Sequence, residues 1–395
     1  KNQNIRVIFD EYESNMIEKT DTIIVYVGST PFTTESFAYR KESLSYIARK
    51  QKCPLISLNH VGANASLIFD GNSFVVNSKG ISTYKLAAFK EDFMIIDTER
   101  LLNAPALKEK GPDTIALIHD ALILGIKDFF HKNGFSKAVL GLSGGIDSAL
   151  VAALATEALG KENVLGILMP SRFSTDHSVT DAVDLARNLG ISHETLPIKE
   201  IYDNFIATLH PVFKDAPFNV AEENLQARIR GSLVMAISNK FGSMVATTGN
   251  KSEMAVGYST LYGDLAGGFA VIKDVYKTQV YALCRWINEC NKENPVFPET
   301  ILTRAPSAEL RENQKDQDSL PDYAVLDEIL RRFIEDREGP EEIAAAGFDR
   351  AVVDKVLRMV SRAEYKRRQS PIGPKVTKVA FGRDWRFPVT NKYRL

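Results

Sequence analysis

Two periods divide the chain. Up to residue 103 the apolar positions come in short β-branched runs, Ile5–Phe9, Asp21–Val27, Pro54–Asn59, Ala65–Phe69 and Ser73–Val76, separated by Gly, Asn, Ser and Asp. Such runs predict strands joined by turns. One stretch at helical spacing, Tyr39–Gln51, interrupts them. Asn103–Asp113 holds two prolines and a glycine, and beyond it the apolar period lengthens from two to about 3.6. A domain over 1–103 and a second over 104–395 are therefore expected.

In the second part strands and helices alternate. The pattern predicts a helix over Ile115–Lys132 closed by Gly134, a strand Ala138–Leu142, a helix Ile146–Leu159, a strand Val164–Met169 and a helix Asp176–Leu189 capped by Gly190. A further strand and helix run from Glu194 to Leu209, followed by a helix Ala221–Lys240 and a strand Ser243–Thr248. Beyond Tyr276 the chain reads as mostly helical, apart from the polar segment Arg304–Asp318. Strands separated by helices of this length argue an α/β fold, a parallel sheet with helices on both faces and ligands at the strands' carboxyl ends.

With 395 residues, 44% hydrophobic and 25% charged, the chain has the mix of an ordinary globular protein, which excludes collagen-like, coiled-coil and wholly disordered readings. No apolar run approaches the ~18–20 residues needed to cross a bilayer, so no membrane partner is expected. Lys and Arg number 49 against 50 Asp and Glu, so no overall field attracts nucleic acid, although 361–395 has ten Lys or Arg against Glu364 and Asp384. Cys53, Cys284 and Cys290 form neither a disulfide framework nor a zinc spacing, which points to a reducing, cytoplasmic setting. The chain opens on Lys1 without initiator Met or leader pattern, as a fragment would.

The most informative stretch follows the strand Ala138–Leu142. There Gly141-Leu142-Ser143-Gly144-Gly145-Ile146-Asp147-Ser148 turns directly into a helix. Two glycines allow a tight bend in which successive amides and a helix N-terminus converge, with the hydroxyls of Ser143 and Ser148 beside them, a concavity suited to pyrophosphate. It is not the kinase and GTPase loop, because Gly160-Lys161 is followed by Glu162, and no Gly-x-Gly-x-x-Gly is present. Asp147 would repel phosphate unless a divalent cation lay between them, so the turn implies Mg²⁺ with a nucleoside triphosphate or pyrophosphate. A Ser-capped strand-to-helix turn is the structural alternative.

This turn resembles the PP-loop of the ATP pyrophosphatases, which cleave ATP between the α and β phosphates. Four further segments are similar to NAD synthetases: Met169-Pro170-Ser171-Arg172, where Arg172 could hold a phosphate; Glu223-Asn224-Leu225-Gln226-Ala227-Arg228-Ile229-Arg230; Thr247-Thr248-Gly249-Asn250-Lys251-Ser252-Glu253; and Tyr262-Gly263-Asp264 with Lys277-Thr278, Pro306-Ser307 and Glu364-Tyr365-Lys366. The resemblance runs from Thr114 to Leu395, and its closing Phe381-Gly382-Arg383-Asp384-Trp385-Arg386 is similar to the long, glutamine-dependent form. It implies a Rossmann-like fold of the adenine nucleotide α-hydrolase type and amidation of deamido-NAD with ATP. It places the loop residues 141–148, Thr248, Lys277 and Ser307 at ATP, and Asn224, Arg228, Glu253, Asp264 and Lys366 at deamido-NAD. Asp147 and Glu253 would hold Mg²⁺. The long-form relatives also associate, so a homo-oligomer is expected.

Residues 1–103 resemble half of a nitrilase-like α-β-β-α glutaminase domain, through Asp21–Val25, Pro31-Phe32, Val61-Gly62 and 68–76. Such a glutaminase uses a Cys nucleophile, which the resemblance puts near Val7–Glu11, yet Ile5–Tyr12 contains none. Either the sequence is a piece of a longer enzyme or glutamine hydrolysis is lost, and free ammonia is the expected donor for this chain. A tRNA-modifying enzyme using the basic stretch, or a non-catalytic nucleotide sensor, are the competing readings.

Overall fold

The computed structural model describes residues 4–11, 13, 17, 22–101, 104–108, 111 and 113–390. Of the positions discussed above, Tyr12, Asp21, Asn103, residues 109, 110 and 112, and Leu395 lie outside these. Two compact units are present, Lys1–Asp128 and Phe129–Leu395. Among the described residues no helix is long and apolar enough to cross a membrane.

The first unit contains β1 (Ile5–Ile8), β2 (Ile23–Gly28), α1 (Ser36–Gln51), β3 (Leu55–Asn59), β4 (Val61–Asn64), β5 (Leu67–Asp70), β6 (Phe74–Val76), β7 (Ser82–Lys85), the short α2 (Thr98–Leu101) and the start of α3 (Thr114–Lys132). Its sheet has the order β1-β2-β3-β6-β7, with the first three strands parallel and the last two antiparallel. Alternation along the strands sends Ile8, Ile24, Leu55, Phe74 and Val76 to one face, where Leu44, Ile47 and Ala48 of α1 cover them. A single strand over Ala65–Phe69 is not formed. Ala65 sits in the left-handed region (φ 56°) at the turn that reverses β4 into β5, and a strand cannot pass through that conformation. Burying the Arg40 guanidinium is offset by the carbonyls of Gly71 (3.0 Å) and Asn72 (3.1 Å) and by Asp70 at 3.7 Å.

In the second unit follow β8 (Ala138–Gly141), α4 (Ile146–Leu159), β9 (Val164–Leu168), α5 (Asp176–Leu189), β10 (Ser192–Thr195), α6 (Lys199–Phe213), α7 (Val220–Phe241), β11 (Met244–Thr247), α8 (Lys251–Val256), β12 (Phe269–Ala270), α9 (Lys277–Cys290), α10 (Glu299–Thr303), α11 (Tyr323–Ile334), α12 (Pro340–Ala345), α13 (Arg350–Arg362) and α14 (Glu364–Arg367). The sheet is wholly parallel, in the order β10-β9-β8-β11-β12. Val234 of α7 packs on Val139, Ile167 and Val245 of three central strands. Apolar residues surround α4 on all sides, with Leu150, Val151 and Leu154 inaccessible to solvent, as suits a helix enclosed by others. The sequence-based strand at Glu194 begins two residues earlier and is an exposed edge, so its apolar pattern is weak. A second core joins Met254 and Ala255 of α8 to Leu326, Leu330, Ile343, Val356 and Val360 of the C-terminal helices. That core holds α8 where it follows β11, at the sheet's carboxyl edge.

Candidate active site

From β8 the chain crosses to β9 on one side, whereas β11 leads to β12 on the other. Loops leaving the carboxyl ends of β8 and β11 therefore diverge, and a crevice opens at this reversal. It holds a cleft of about 470 Å³.

The loop after β8 forms one wall. Gly144 adopts φ +78°, and a Cβ there would stand 2.2 Å from the Ser178 carbonyl oxygen, so only glycine lets the loop lie against α5. Ser148 Oγ accepts from Ser143 N (3.3 Å) and donates to the Gly145 carbonyl (2.9 Å), which fixes the bend. The N-cap of α4 is Gly145, which offers no side chain to the first-turn N–H groups of Ile146, Asp147 and Ser148. Those amides and the helix dipole are left for an anion.

Facing it, Thr248 and Gly249 lead into α8, and Asn250 joins the two loops. Its Oδ1 accepts from Glu253 N (3.0 Å) as the α8 N-cap, while its Nδ2 donates to Asp147 Oδ1 at 2.9 Å. Lys277 begins α9, and its Nζ donates to Asp147 Oδ2 and lies 3.4 Å from Glu253 Oε1. Burial pushes the Glu253 carboxyl up to about 8, Asp147 adds repulsion in the same direction, and Lys277 opposes both. Burial alone would lower Lys277, but Asp147 and Glu253 hold its ammonium above the ordinary lysine range. Asp316 stands close by, accepting from Tyr258 OH (3.2 Å) and Tyr323 OH (2.8 Å). The cluster thus has more carboxylate than cation.

Beyond the charge cluster, α7 and the 257–264 turn form the second half of the cleft. Asn224 Oδ1 accepts from Thr260 Oγ1 (2.8 Å), and Asp264 Oδ1 accepts from Thr260 N (2.7 Å). Lys366 Nζ donates to the Gly257 and Ser259 carbonyls, both at 2.7 Å, and the buried Ser259 hydroxyl is left without a partner among the described residues. Residues 304–310, Gln314 and Asp316 line a further side. Glu309 there accepts from Ser178 Oγ (2.7 Å), and Arg304 donates to the same hydroxyl (3.0 Å). Gln226 holds the Leu310 carbonyl at 2.9 Å.

The cleft gathers residues 141–148, Thr248, Lys277, Ser307, Asn224, Glu253, Asp264 and Lys366 from the sequence-based set. Ser307 is exposed at its rim, its hydroxyl donating to the Gln314 carbonyl (2.6 Å). Arg228 turns instead to the Leu261 carbonyl (3.2 Å), while Arg230 enters the cleft wall, its Nε on the Met169 carbonyl (3.0 Å). Arg172 is exposed and stacks over Phe173 and Tyr202. Asn250, Arg230 and Asp316 were not singled out from sequence. For Asn250 a signal existed, since an Asn three residues before an acid at a strand-to-helix turn is a capping pattern. Much of the basic C-terminal stretch is spent internally, Lys375 on Asp384 (2.6 Å) and Arg367 and Arg368 on Glu364 (3.0 and 2.7 Å).

Residues 118–370 match the NAD synthase family. A glutamine-dependent NAD(+) synthetase of a Synechocystis strain is 49% identical over 384 residues, covering 96% of this chain and 68% of the relative. Among solved structures, the glutamine-dependent NAD+ synthetase of Acinetobacter baumannii in complex with ADP is 41% identical with a TM-score of 0.71, covering 98% of this chain and 72% of that one. The Cytophaga hutchinsonii enzyme, 21% identical with a TM-score of 0.82 over 98% of this chain and 71% of that one, shares the fold. A phosphate-suited loop and a carboxylate–lysine cluster at the sheet's reversal, together with this identity over nearly the whole chain, show that it belongs to the glutamine-dependent NAD(+) synthetases.

Proposed function

We propose that the chain makes NAD by amidating the nicotinate carboxylate of deamido-NAD at the expense of ATP. The observation that carries this reading is that the open α4 N-terminus bears Asp147, which Lys277 pairs beside Glu253 of the facing α8. A carboxylate is a poor electrophile, so it must first be activated. Its oxygen attacks the α-phosphorus of ATP, the α–β anhydride bond breaks, and pyrophosphate leaves. Ammonia then attacks the acyl carbon of the adenylate, the bond to AMP breaks, and a proton passes to solvent. Charge on the departing pyrophosphate is met by the Ile146, Asp147 and Ser148 amides and by Lys277. Asn224, Asp264, Glu253 and Lys366 would hold the dinucleotide, and Thr248 and Ser307 the nucleotide. With so little covalent work for the protein, positioning and electrostatics supply most of the rate.

The donors present fit Mg²⁺. Among the described residues no group of three or more His, Cys, Asp and Glu forms a cage, but Asp147 and Glu253 face one point, and Mg²⁺ is commonly bound by one or two carboxylates plus substrate phosphates. When bound, the ion would neutralise the polyphosphate.

In the same reading, residues 1–103 are a nitrilase-like part and 104–395 the synthetase part of a cytoplasmic homo-oligomer. Of the three cysteines, Cys53, Cys284 and Cys290, none falls in Val7–Glu11, where the resemblance puts the nucleophile, which supports ammonia as the donor for this chain. The test is direct. With ATP, Mg²⁺, deamido-NAD and ammonium the products are NAD, AMP and pyrophosphate, and Asp147→Asn sharply lowers AMP formation in a folded protein. ADP as the spent nucleotide overturns the reading.

A further inference from the structure

Lys251 is the first residue of α8, two positions before Glu253, and its side chain is wholly inaccessible to solvent. Its Nζ meets Asp274 Oδ1 (3.0 Å), Glu335 Oε1 (2.9 Å), Thr377 Oγ1 (2.5 Å) and the Val379 carbonyl (2.9 Å), and lies 4.7 Å from the centre of the Tyr276 ring. These partners come from three places: the turn before α9, the end of α11, and the segment 376–379. Asp274 accepts in turn from the N–H groups of Val376 (2.9 Å) and Thr377 (2.8 Å), and the Tyr276 hydroxyl donates to Glu335 (2.8 Å). One backbone bond, Lys251 N to the Val275 carbonyl at 2.8 Å, already joins α8 to the turn. Next along the chain, Ser252 Oγ accepts from Lys277 N (2.9 Å) and donates to Asp327 (2.5 Å). Lys251 and Ser252 thus point into clamps while Glu253 points into the cleft.

A buried ammonium is an unusual choice if stability were its whole purpose, since an apolar side chain of similar volume often serves as well or better. What the charge adds is direction: four oxygens from separate segments must converge on one point. We propose that Lys251 is a positioning residue for the reaction. Its ammonium fixes the α8 start, which carries Glu253, against the turn that delivers Lys277, and makes that spacing depend on the segment 376–379. The inference rests on the reading that Glu253 and Lys277 act in the cleft.

Lys251→Met keeps the volume and removes the charge. An ångström of misplacement costs about 100-fold, so kcat for AMP formation should fall by about that factor. KM for ammonium and the affinity for a fluorescent ATP analogue without metal should each stay within about three-fold. Turnover is expressed per molecule that binds the analogue, because a merely structural role lowers that count and the melting temperature but leaves kcat per competent molecule intact. A kcat within about two-fold of the parent overturns the proposal. Should Lys251→Met fail to fold, Thr377→Val serves, with an expected loss of about ten-fold in kcat, and no loss overturns it. Lys277→Met, measured alongside, separates the two levels. If it retains AMP formation the reading of the cleft fails; if it loses AMP formation while the Lys251 and Thr377 variants do not, only the positioning role fails.

Discussion

Replacing Gly144 by alanine tests whether the bend after β8 is where the chemistry is built. At φ +78° an L-residue is strained by roughly 1–2 kcal/mol. The new methyl would also meet the Ser178 carbonyl oxygen at 2.2 Å and its carbon at 2.8 Å, both backbone atoms that cannot rotate away. Restoring ordinary contact requires the loop and α5 to part by about 1 Å, an overpacking typically worth about 1–3 kcal/mol more. The sum, roughly 2–5 kcal/mol, should lower the melting temperature of the second unit by about 5–15 °C. The same displacement moves the Ile146 and Asp147 amides from the polyphosphate, for which about a 100-fold fall in pyrophosphate release is expected at saturating ammonium and 25 °C. Gly145→Ala is the control: its φ is −88° and the added Cβ meets only the Ser143 hydroxyl, at 3.2 Å, so its melting temperature should stay within about 2 °C. Pyrophosphate release by Gly144→Ala within about three-fold of the parent would refute the assignment.

Lys366→Ala removes both a cation of the cleft's second half and the bonds holding the Gly257 and Ser259 carbonyls. The apparent KM for deamido-NAD should rise about ten-fold or more with that for ATP nearly unchanged, and the reverse order would reject the assignment. Glutamine in place of ammonium should give little NAD with this chain, whereas robust turnover would reveal a nucleophile other than the cysteines considered. Burial pulls the Lys273 ammonium down to about 8 against the pull of Asp274. The unfolded chain keeps that proton to about 10.4, so between these values it binds more protons than the folded one and stability rises with pH. The burden is full below about pH 8 and relieved toward 10.4. The melting temperature of Lys273→Met relative to the parent should therefore fall as pH goes from 7 to 10, and an increasing gap contradicts the sign.

How much could be read from sequence depended on whether a residue's surroundings are local. The 141–148 turn was legible because its glycines, hydroxyls and acid are consecutive, and the alternation of strands and helices around it announced a parallel sheet. Two-residue β12 and the strand β7 carried no usable period and appear only as partners of β11 and β6. On α7, the resemblance put Asn224 and Arg228 at deamido-NAD, yet the Leu261 carbonyl draws Arg228 aside and the cleft receives Arg230. Asp316 was invisible because its two tyrosine donors come from separate segments.

Asp147 and the lysine that neutralises it are 130 positions apart. On a ribosome adding roughly 5–20 residues per second, the anion-holding bend is made about 6–26 s before its counter-charge emerges, and Lys251's last ligands come later still. For most of that interval Asp147 has neither Glu253 nor Lys277 beside it, and Asp316 follows both. Since Lys366 lines the same cleft, its wall is whole only after more than nine-tenths of the chain has been made, and the site is among the last features of the molecule to be assembled.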